Sequence, residues 1–179
     1  YVDMVDVHIA GTPIANFSVD NACVGTPINF IDQTTANGTS LSSWAWDLTG
    51  NGNANTLNQN ATFTYNTAGP KQATLIVTSL GCSDTAVVPF EVYPLPQINI
   101  LGLNACDKDA VAFNNNSTIL YGSIDSLSWN FGDGTQDVTP SSTSHVFSQP
   151  GQYTTTVTAY SNQGCQSIAV ENVEVYHNP

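Results

Sequence analysis

The chain of 179 residues is 41% hydrophobic, which is enough for stable cores and suits two domains of about 90 residues. Two lysines and no arginine stand against 14 acidic residues, and the net charge is −12. Such a surface cannot neutralise phosphates, so nucleic-acid binding is excluded and binding to an anionic membrane surface is disfavoured. No apolar run approaches the roughly 18 residues of a membrane span, so membrane insertion is not expected.

An internal repeat organises the chain. The segment NACVGTPINF is matched further along by NACDKDAVAF, with Cys106 following Cys23 by 83 positions (106 − 23). The same offset relates further pairs of identical residues: Cys82 and Cys165, Trp46 and Trp129, Phe30 and Phe113, and Tyr93 and Tyr176. Many identities at one offset indicate a tandem duplication.

The first ten residues fit the same repeat. VDVHIAGTP aligns with FEVYPLP, which is the junction between the two copies. We therefore interpret residues 1–10 as the last strand of a preceding repeat, or a linker derived from one. Domain one is then 11–94 and domain two is 95–179.

Within each copy the pattern is that of β-strands. In chain order, TPINFID, ATLIVTSL, AVVPFEVY, SLSWNFG, YTTTVTAYS and IAVENVEVY are rich in β-branched and aromatic residues. YTTTVTAYS alternates with period two, which places Tyr153, Val157 and Ala159 on one face. Gly, Asn and Pro clusters separate the strands, and no helical apolar stripe appears. The chain is predicted to be all-β, with two tandem sandwiches of about seven strands each.

The run WNFGDG at 129–134 allows two interpretations. An aspartate between two glycines would suit a metal site or an active-site acid, but Asp-Gly is also a favoured hairpin turn. The preceding alternation puts Leu127, Trp129 and Phe131 on one face. The structural interpretation therefore predicts that Trp129 is buried and that Asp133 lies at the tip of a turn.

This run and the segment after it resemble the PKD domain (polycystic kidney disease repeat). The family's hallmark is W-x-F-G-D-G, followed by H-x-Y, P-G-x-Y and an alternating strand. The residues here that match this motif are Trp129, Phe131, Gly132, Asp133, Gly134, His145, Pro150, Gly151 and Tyr153, with Phe147 in place of the usual tyrosine. The first copy diverges: Trp46, Tyr65 and Gly69 are kept, but FGDG has become LTGNG.

The resemblance implies an immunoglobulin-like β-sandwich in an extracellular protein. PKD repeats serve there as spacers and as modules that bind proteins or carbohydrates. Paired cysteines in a Thr- and Asn-rich chain without arginine are similar to arrays on large surface proteins of Bacteroidetes-type bacteria. Two tripeptides, around Thr85 and Ser126, resemble the D-[ST]-apolar O-glycosylation sites of that bacterial group.

Four cysteines in register predict disulfides and an oxidising compartment. One scheme places a bridge in each repeat, Cys23–Cys82 and Cys106–Cys165. A second scheme joins the repeats through Cys23–Cys165 and leaves Cys82 and Cys106 for neighbouring repeats. In a sandwich the cysteines of one repeat should lie at opposite ends of a strand longer than 20 Å, which argues against the first scheme. Both stay open at this point.

No cofactor is predicted. The family analogy allows calcium, with oxygens from Asp47, Asn51, Asn53, Asp133 and Asp137, but calcium needs six to eight oxygens and no dense acidic loop is present. Zinc is not expected because His8, His145 and His177 lack ligand spacing. No serine lies in a G-x-S-x-G elbow, so we do not expect an enzyme.

The sequence thus favours a non-catalytic segment of a cell-surface repeat array. Its expected partners are neighbouring repeats, other surface proteins or glycans, and further copies of itself. The alternative is an accessory carbohydrate- or protein-binding module of a secreted hydrolase. An exposed aromatic platform near Trp44, or at Tyr121 and Tyr160, would favour that alternative.

Overall fold

The computed structural model describes residues 11–38, 40–139 and 141–177. The interpretation of residues 1–10 as an earlier repeat falls outside these residues. The chain divides between Val92 and Tyr93 into two compact units, and the names domain one and domain two refer to these units from here on. The boundaries 11–94 and 95–179 stay a prediction. All regular structure in the described residues is β, which confirms the predicted fold class. No described segment forms a helix that could span a membrane.

Domain one contains seven strands. They are β1 (Phe17–Val19), β2 (Ala22–Cys23), β3 (Pro27–Asp32), β4 (Ser43–Asp47), β5 (Ala61–Thr64), β6 (Gly69–Ser79) and β7 (Cys82–Tyr93). One sheet has the order β1-β3-β5 and the other β2-β7-β6-β4. The long β6–β7 hairpin pairs in continuous register from Gly69↔Val92 to Ser79↔Cys82.

Domain two contains eight strands. They are β8 (Ile100–Gly102), β9 (Ala105–Cys106), β10 (Ala110–Asn115), β11 (Ile124–Asn130), β12 (Gln136–Thr139), β13 (Thr143–Val146), β14 (Gly151–Ser161) and β15 (Gln166–Tyr176). The sheets have the orders β13-β10-β8 and β12-β11-β14-β15-β9. The additional strand, β12, pairs with β11 across the GDG segment, and domain one has no named strand at the equivalent place.

Each domain has its own core, built from the inward side of the alternating strands. In domain one, Trp46 is fully buried and packs edge-on against Phe17, with ring centroids 5.0 Å apart. In domain two, Trp129 is fully buried beside Phe113 at 5.6 Å. A buried aromatic cluster of this kind supplies much of the apolar area that stabilises a small sandwich.

Candidate functional site

The GDG segment forms the turn between β11 and β12. Asn130 pairs with Gln136, and the Phe131 N–H donates to the Thr135 carbonyl at 3.2 Å. Gly132 has φ +84, and a Cβ there would lie 2.6 Å from the Thr154 carbonyl oxygen. Glycine is therefore required at this position both for backbone conformation and for close approach to β14.

Asp133 holds the turn with both carboxylate oxygens. Oδ1 accepts from the Thr135 N–H at 3.0 Å and from the Thr135 hydroxyl at 2.6 Å, and Oδ2 lies 2.7 Å from His145 Nε2. Desolvation raises the pKa of Asp133, but the bonds from Thr135 and His145 outweigh it and lower the pKa to about 2. Asp133 is thus an ionised structural anchor at neutral pH.

His145 and the aromatic residues of the motif extend this anchor into a stack. The His145 ring lies parallel to Phe131 at 4.1 Å and edge-on to Phe147 at 4.6 Å. Phe147 stacks on Tyr153 at 4.1 Å, and the Tyr153 hydroxyl donates to the Gln149 carbonyl at 2.9 Å. The motif residues that are distant in sequence therefore meet in one packed cluster, which we call the turn cluster.

Pro150 and Gly151 place the last member of the turn cluster. Pro150 directly precedes β14, and Gly151, with φ +153, is its first residue. Tyr153 follows two positions later on the same strand. Gly134, with φ +94, completes the GDG turn on the side of β12.

The turn cluster does not have the geometry of a catalytic triad, although it contains Thr, His and Asp. In a triad the nucleophile and the acid contact different ring nitrogens of the histidine. Here Thr135 Oγ1 and Asp133 both lie near His145 Nε2, at 3.2 and 2.7 Å. The hydroxyl also donates to Asp133, so it is not held for attack. Packing and turn stabilisation are what this arrangement supports.

The equivalent turn in domain one is held by a different carboxylate. Asp47 accepts backbone N–H groups from Thr49 at 3.1 Å, Gly50 at 2.8 Å and Gly52 at 2.7 Å. Desolvation raises the pKa of Asp47, but these backbone bonds, that from Gly52 first, lower it overall. The Tyr65 hydroxyl donates to the Leu48 carbonyl at 2.6 Å, and burial together with Asp47 raises the pKa of Tyr65 to about 12.

Oxygens that were considered as calcium ligands already accept hydrogen bonds within the protein. Asn51 Oδ1 accepts from the Asn53 N–H, and Asp137 accepts from the Val138 N–H and from a threonine hydroxyl. Across the described ranges, no three His, Cys, Asp or Glu side chains form a group that could hold a metal ion. That the chain needs no cofactor stays a prediction, with calcium allowed by family analogy alone.

The cysteines separate the two disulfide schemes. Cys23 and Cys165 are disulfide-bonded, whereas Cys82 and Cys106 carry free thiols. The first scheme, with Cys23–Cys82 and Cys106–Cys165, is therefore wrong, and the interpretation of Cys82 and Cys106 as disulfide cysteines is not met within this chain. With four cysteines in the chain, the bonded pair is Cys23–Cys165, the bridge of the second scheme.

Topology explains why the cysteines of one repeat do not pair. In domain two, Cys106 is in register with Tyr176 at the end of β15, whereas Cys165 immediately precedes its first residue. At about 3.3 Å per residue, this 11-residue strand separates the two by roughly 35 Å, far beyond disulfide reach. Domain one is equivalent: Cys82 begins β7, and the Asn21 side chain binds the Glu91 N–H near its other end.

The aromatic residues proposed as a glycan platform differ in their surroundings. Trp44 is half-buried against the core, and its Nε1 donates to Asp32 Oδ2 at 2.8 Å. Tyr121 and Tyr160 are each 38% exposed. Trp44 thus contributes to the fold through its ring and its Nε1–H.

The two residues in the O-glycosylation pattern lie in strands. Thr85 is exposed on β7 opposite Ile76, and Ser126 is half-buried on β11 opposite Tyr160. The aspartate that precedes Thr85 accepts the Ala15 N–H at 2.8 Å, so Asp84 has a structural role. Glycosylation of either residue stays a prediction.

Sequence reasoning missed two structural polar residues. Asp32 accepts bonds from Trp44 Nε1, the Thr34 N–H and, at 3.2 Å, Gln59 Nε2. Thr135 completes the Asp133 turn. A D-x-T spacing, which occurs at Asp32–Thr34 and at Asp133–Thr135, is the signal of an Asx turn that would have found both.

Comparison with known proteins supports this description of the fold. The PKD domain family matches residues 10–92 and 94–175. The fold is similar to three N-terminal domains of the bacteriophage RB49 highly immunogenic outer capsid protein, with 10% identity, TM-score 0.57, and coverage of 94% of this chain and 71% of that one. No curated protein matches the chain.

Two further similar structures are a PKD domain and an immunoglobulin array. The PKD1 domain of Vibrio anguillarum Epp is 24% identical over 47% of this chain and 96% of that one, with TM-score 0.43. The eight N-terminal immunoglobulin domains of Down syndrome cell adhesion molecule are 13% identical over 95% of this chain and 25% of that one, with TM-score 0.50. With both halves matched by one family, the chain belongs to the PKD domain family as two domains in tandem.

Proposed function

We propose that this chain is a non-catalytic structural segment of an extracellular, cell-surface array of PKD domains. The observation that carries the proposal is the Cys23–Cys165 bridge, which links two consecutive domains covalently in addition to the polypeptide itself. A disulfide also indicates an oxidising compartment. A bridge inside one domain would be enough to stabilise that domain, whereas a bridge between consecutive domains also gives a stalk or spacer resistance to bending.

The turn cluster of domain two and the equivalent turn of domain one support the same role. The polar groups that sequence reasoning considered for chemistry, Asp133 and His145, bind each other and stabilise a turn. Asp47 does so in domain one through backbone N–H groups. These contacts engage both carboxylates in the fold itself.

The proposal is tested with two double variants of matched composition. In Cys23→Ser/Cys165→Ser the bridge is lost, and in Cys82→Ser/Cys106→Ser only free thiols are removed. Small-angle X-ray scattering should show a broader distribution of interatomic distances for the first variant and an unchanged one for the second. The bridge closes a loop of about 140 residues, so its loss should also lower stability by several kcal/mol.

Two results would count against this role. Superimposable scattering curves for both variants would mean that the bridge does not restrict the two domains. A reduced Cys23–Cys165 pair in protein isolated from an oxidising compartment would remove the observation on which the proposal rests. Circular dichroism of both variants controls for loss of fold.

Binding to other surface proteins or glycans is part of the proposed role. The alternative role, an accessory module of a secreted hydrolase, needs an exposed aromatic surface, and Tyr160 on β14 is one exposed aromatic residue that could form it. Retention on insoluble polysaccharides, lost in Tyr160→Ala but kept in Tyr176→Ala, would favour the alternative. Absence of retention in both would favour the array.

Lateral self-association is also part of the proposal. β12 is an edge strand of its sheet, and Val138 on it is 68% exposed. An edge strand presents unpaired backbone groups that can pair with another strand, and the charged residue of β12, Asp137, already accepts bonds from the Val138 N–H and the Thr143 hydroxyl. Light scattering should show a mass that rises with concentration, and Val138→Lys should reduce this rise, with Thr139→Lys as a control on the same strand.

A further inference from the structure

Two cysteines, Cys82 and Cys106, carry free thiols. Cys82 begins β7 and is exposed, and Cys106 ends β9 and is half-buried. They lie in different domains, and each is the repeat equivalent of one member of the bonded pair. Their local structure therefore deserves comparison with Cys165 and Cys23.

Cys23 and Cys106 occupy equivalent loops of the two domains, and we call this place in the domain the loop position. The Cys23 carbonyl accepts the Thr26 N–H at 3.1 Å, and the Cys106 carbonyl accepts the Asp109 N–H at 3.1 Å. Each cysteine ends a two-residue strand that pairs with the last strand of its domain. Gly25 and its repeat equivalent, Lys108, both have positive φ, at 80° and 67°. The backbone thus presents the two thiols alike.

Cys82 and Cys165 occupy equivalent hairpins of the two domains, and we call this place in the domain the corner position. Cys82 pairs with Ser79 across the β6–β7 turn. The Cys165 carbonyl accepts the Ser161 N–H at 2.8 Å across the β14–β15 turn. A glycine with positive φ precedes each cysteine, Gly81 at 87° and Gly164 at 75°. Domain two has one more residue in the turn, but the corner is preserved.

We propose that the pairing seen in Cys23–Cys165 is a rule that repeats along the chain. The loop-position cysteine of one PKD domain bonds the corner-position cysteine of the next. Cys106 is then the loop-position partner for a following PKD domain, and Cys82 is the corner-position partner for a preceding one. The inference rests on the proposed function, because it requires flanking domains of the same kind.

The chemistry is ordinary disulfide formation. Two thiols lose two protons and two electrons and form one S–S bond. The electrons pass to the disulfide of a thiol–disulfide oxidoreductase, which becomes a dithiol. The result is an overlapping series in which each domain is bonded to the domain before it and to the domain after it. Within a single domain the loop and corner cysteines cannot pair, because the last strand separates them.

A three-domain chain tests the rule directly. One further copy of residues 94–177 is joined after residue 177, and the protein is purified under oxidising conditions and digested without reduction. Mass spectrometry should find Cys23–Cys165 together with a new bridge from Cys106 to the copied corner cysteine. Alkylation should then label Cys82 and the copied loop cysteine, and labelling of Cys106 should fall at least tenfold relative to the two-domain chain.

A matched variant and one further measurement complete the experiment. Cys106→Ser in the three-domain chain should leave the copied corner cysteine open to alkylation while Cys23–Cys165 is unchanged. Thermal unfolding of both chains verifies that the added domain is folded. Recovery of a Cys106–Cys82 peptide between molecules, seen as a ladder on a non-reducing gel, would overturn pairing within one chain.

The outcomes separate this inference from the proposed function. If Cys106 stays fully reactive in a folded three-domain chain that retains Cys23–Cys165, the repeating rule is wrong and the structural role stands. If Cys23–Cys165 does not form either, both fail. Formation of the new bridge supports both.

Discussion

The turn after β4 and the turn after β11 lie at equivalent places in two copies of one domain, but different bonds hold them. In domain two, Asp133 binds His145 from another strand, and glycine allows the turn to touch β14. In domain one, Asp47 binds N–H groups of its own turn, and Tyr65 reaches the Leu48 carbonyl. Both copies therefore keep the buried tryptophan and the sheet, but each copy stabilises its turn with a different set of hydrogen bonds.

The largest expected effect is at Gly132. Gly132→Ala places a Cβ 2.6 Å from the Thr154 carbonyl oxygen at φ +84, and should destabilise domain two by about 3 kcal/mol. Gly50→Ala is the matched control, since its φ is +71 with open space around it, and should cost only about 1 kcal/mol. Hydrogen exchange resolved by domain measures both. Equal costs would mean that contact with β14 does not constrain the turn.

Tyr65 gives domain one an alkaline sensitivity at its turn. Its pKa is raised in the folded protein from 10 to about 12, so the folded state prefers the neutral phenol. The associated stability is fully present below pH 10 and is lost as the pH rises towards 12, by about 1–2 kcal/mol. Tyr65→Phe should remove this loss and cost about 1 kcal/mol at pH 7 through the missing bond to Leu48.

The measurement for Tyr65 is domain-resolved hydrogen exchange at pH 7 and in short pulses near pH 11. Tyr176 also has a raised pKa, from its bond to Glu174, so Tyr176→Phe serves as the control in domain two. If Tyr65→Phe and the parent lose the same stability in domain one, the hydroxyl is not responsible.

The smallest expected effect is at Asp133, and it appears on the acid side. Because its pKa is lowered from 3.8 to about 2, the stability it provides is present above pH 4 and is lost as the pH falls through 2. Asp133→Asn should cost about 1 kcal/mol at pH 7, after allowance for its partial exposure, and should approach the stability of the parent below pH 2. Denaturant unfolding at the two pH values checks this, and a pH-independent difference would contradict the ionic origin.

Features that depend on neighbouring residues could be predicted from the sequence, whereas features that depend on contacts between distant strands could not. Alternation along β11 predicted that Trp129 faces inwards, since side-chain direction in a strand depends only on position along it. The GDG run predicted a turn, because Asp and Gly act on their own backbone. The bond from Asp133 to His145, and the stack from Phe131 to Tyr153, join residues of different strands and appear in no local pattern.

The tandem repeat, the all-β class and the PKD family could be predicted from the sequence, because they follow from repeated motifs, alternation and turn residues along the chain. The choice between the disulfide schemes required the folded domains. The equal spacing of Cys23 with Cys82 and of Cys106 with Cys165 is compatible with a bridge in each repeat. The length of β15 is incompatible with a bridge between Cys106 and Cys165, because a strand of 11 residues holds its two ends far beyond the reach of an S–S bond.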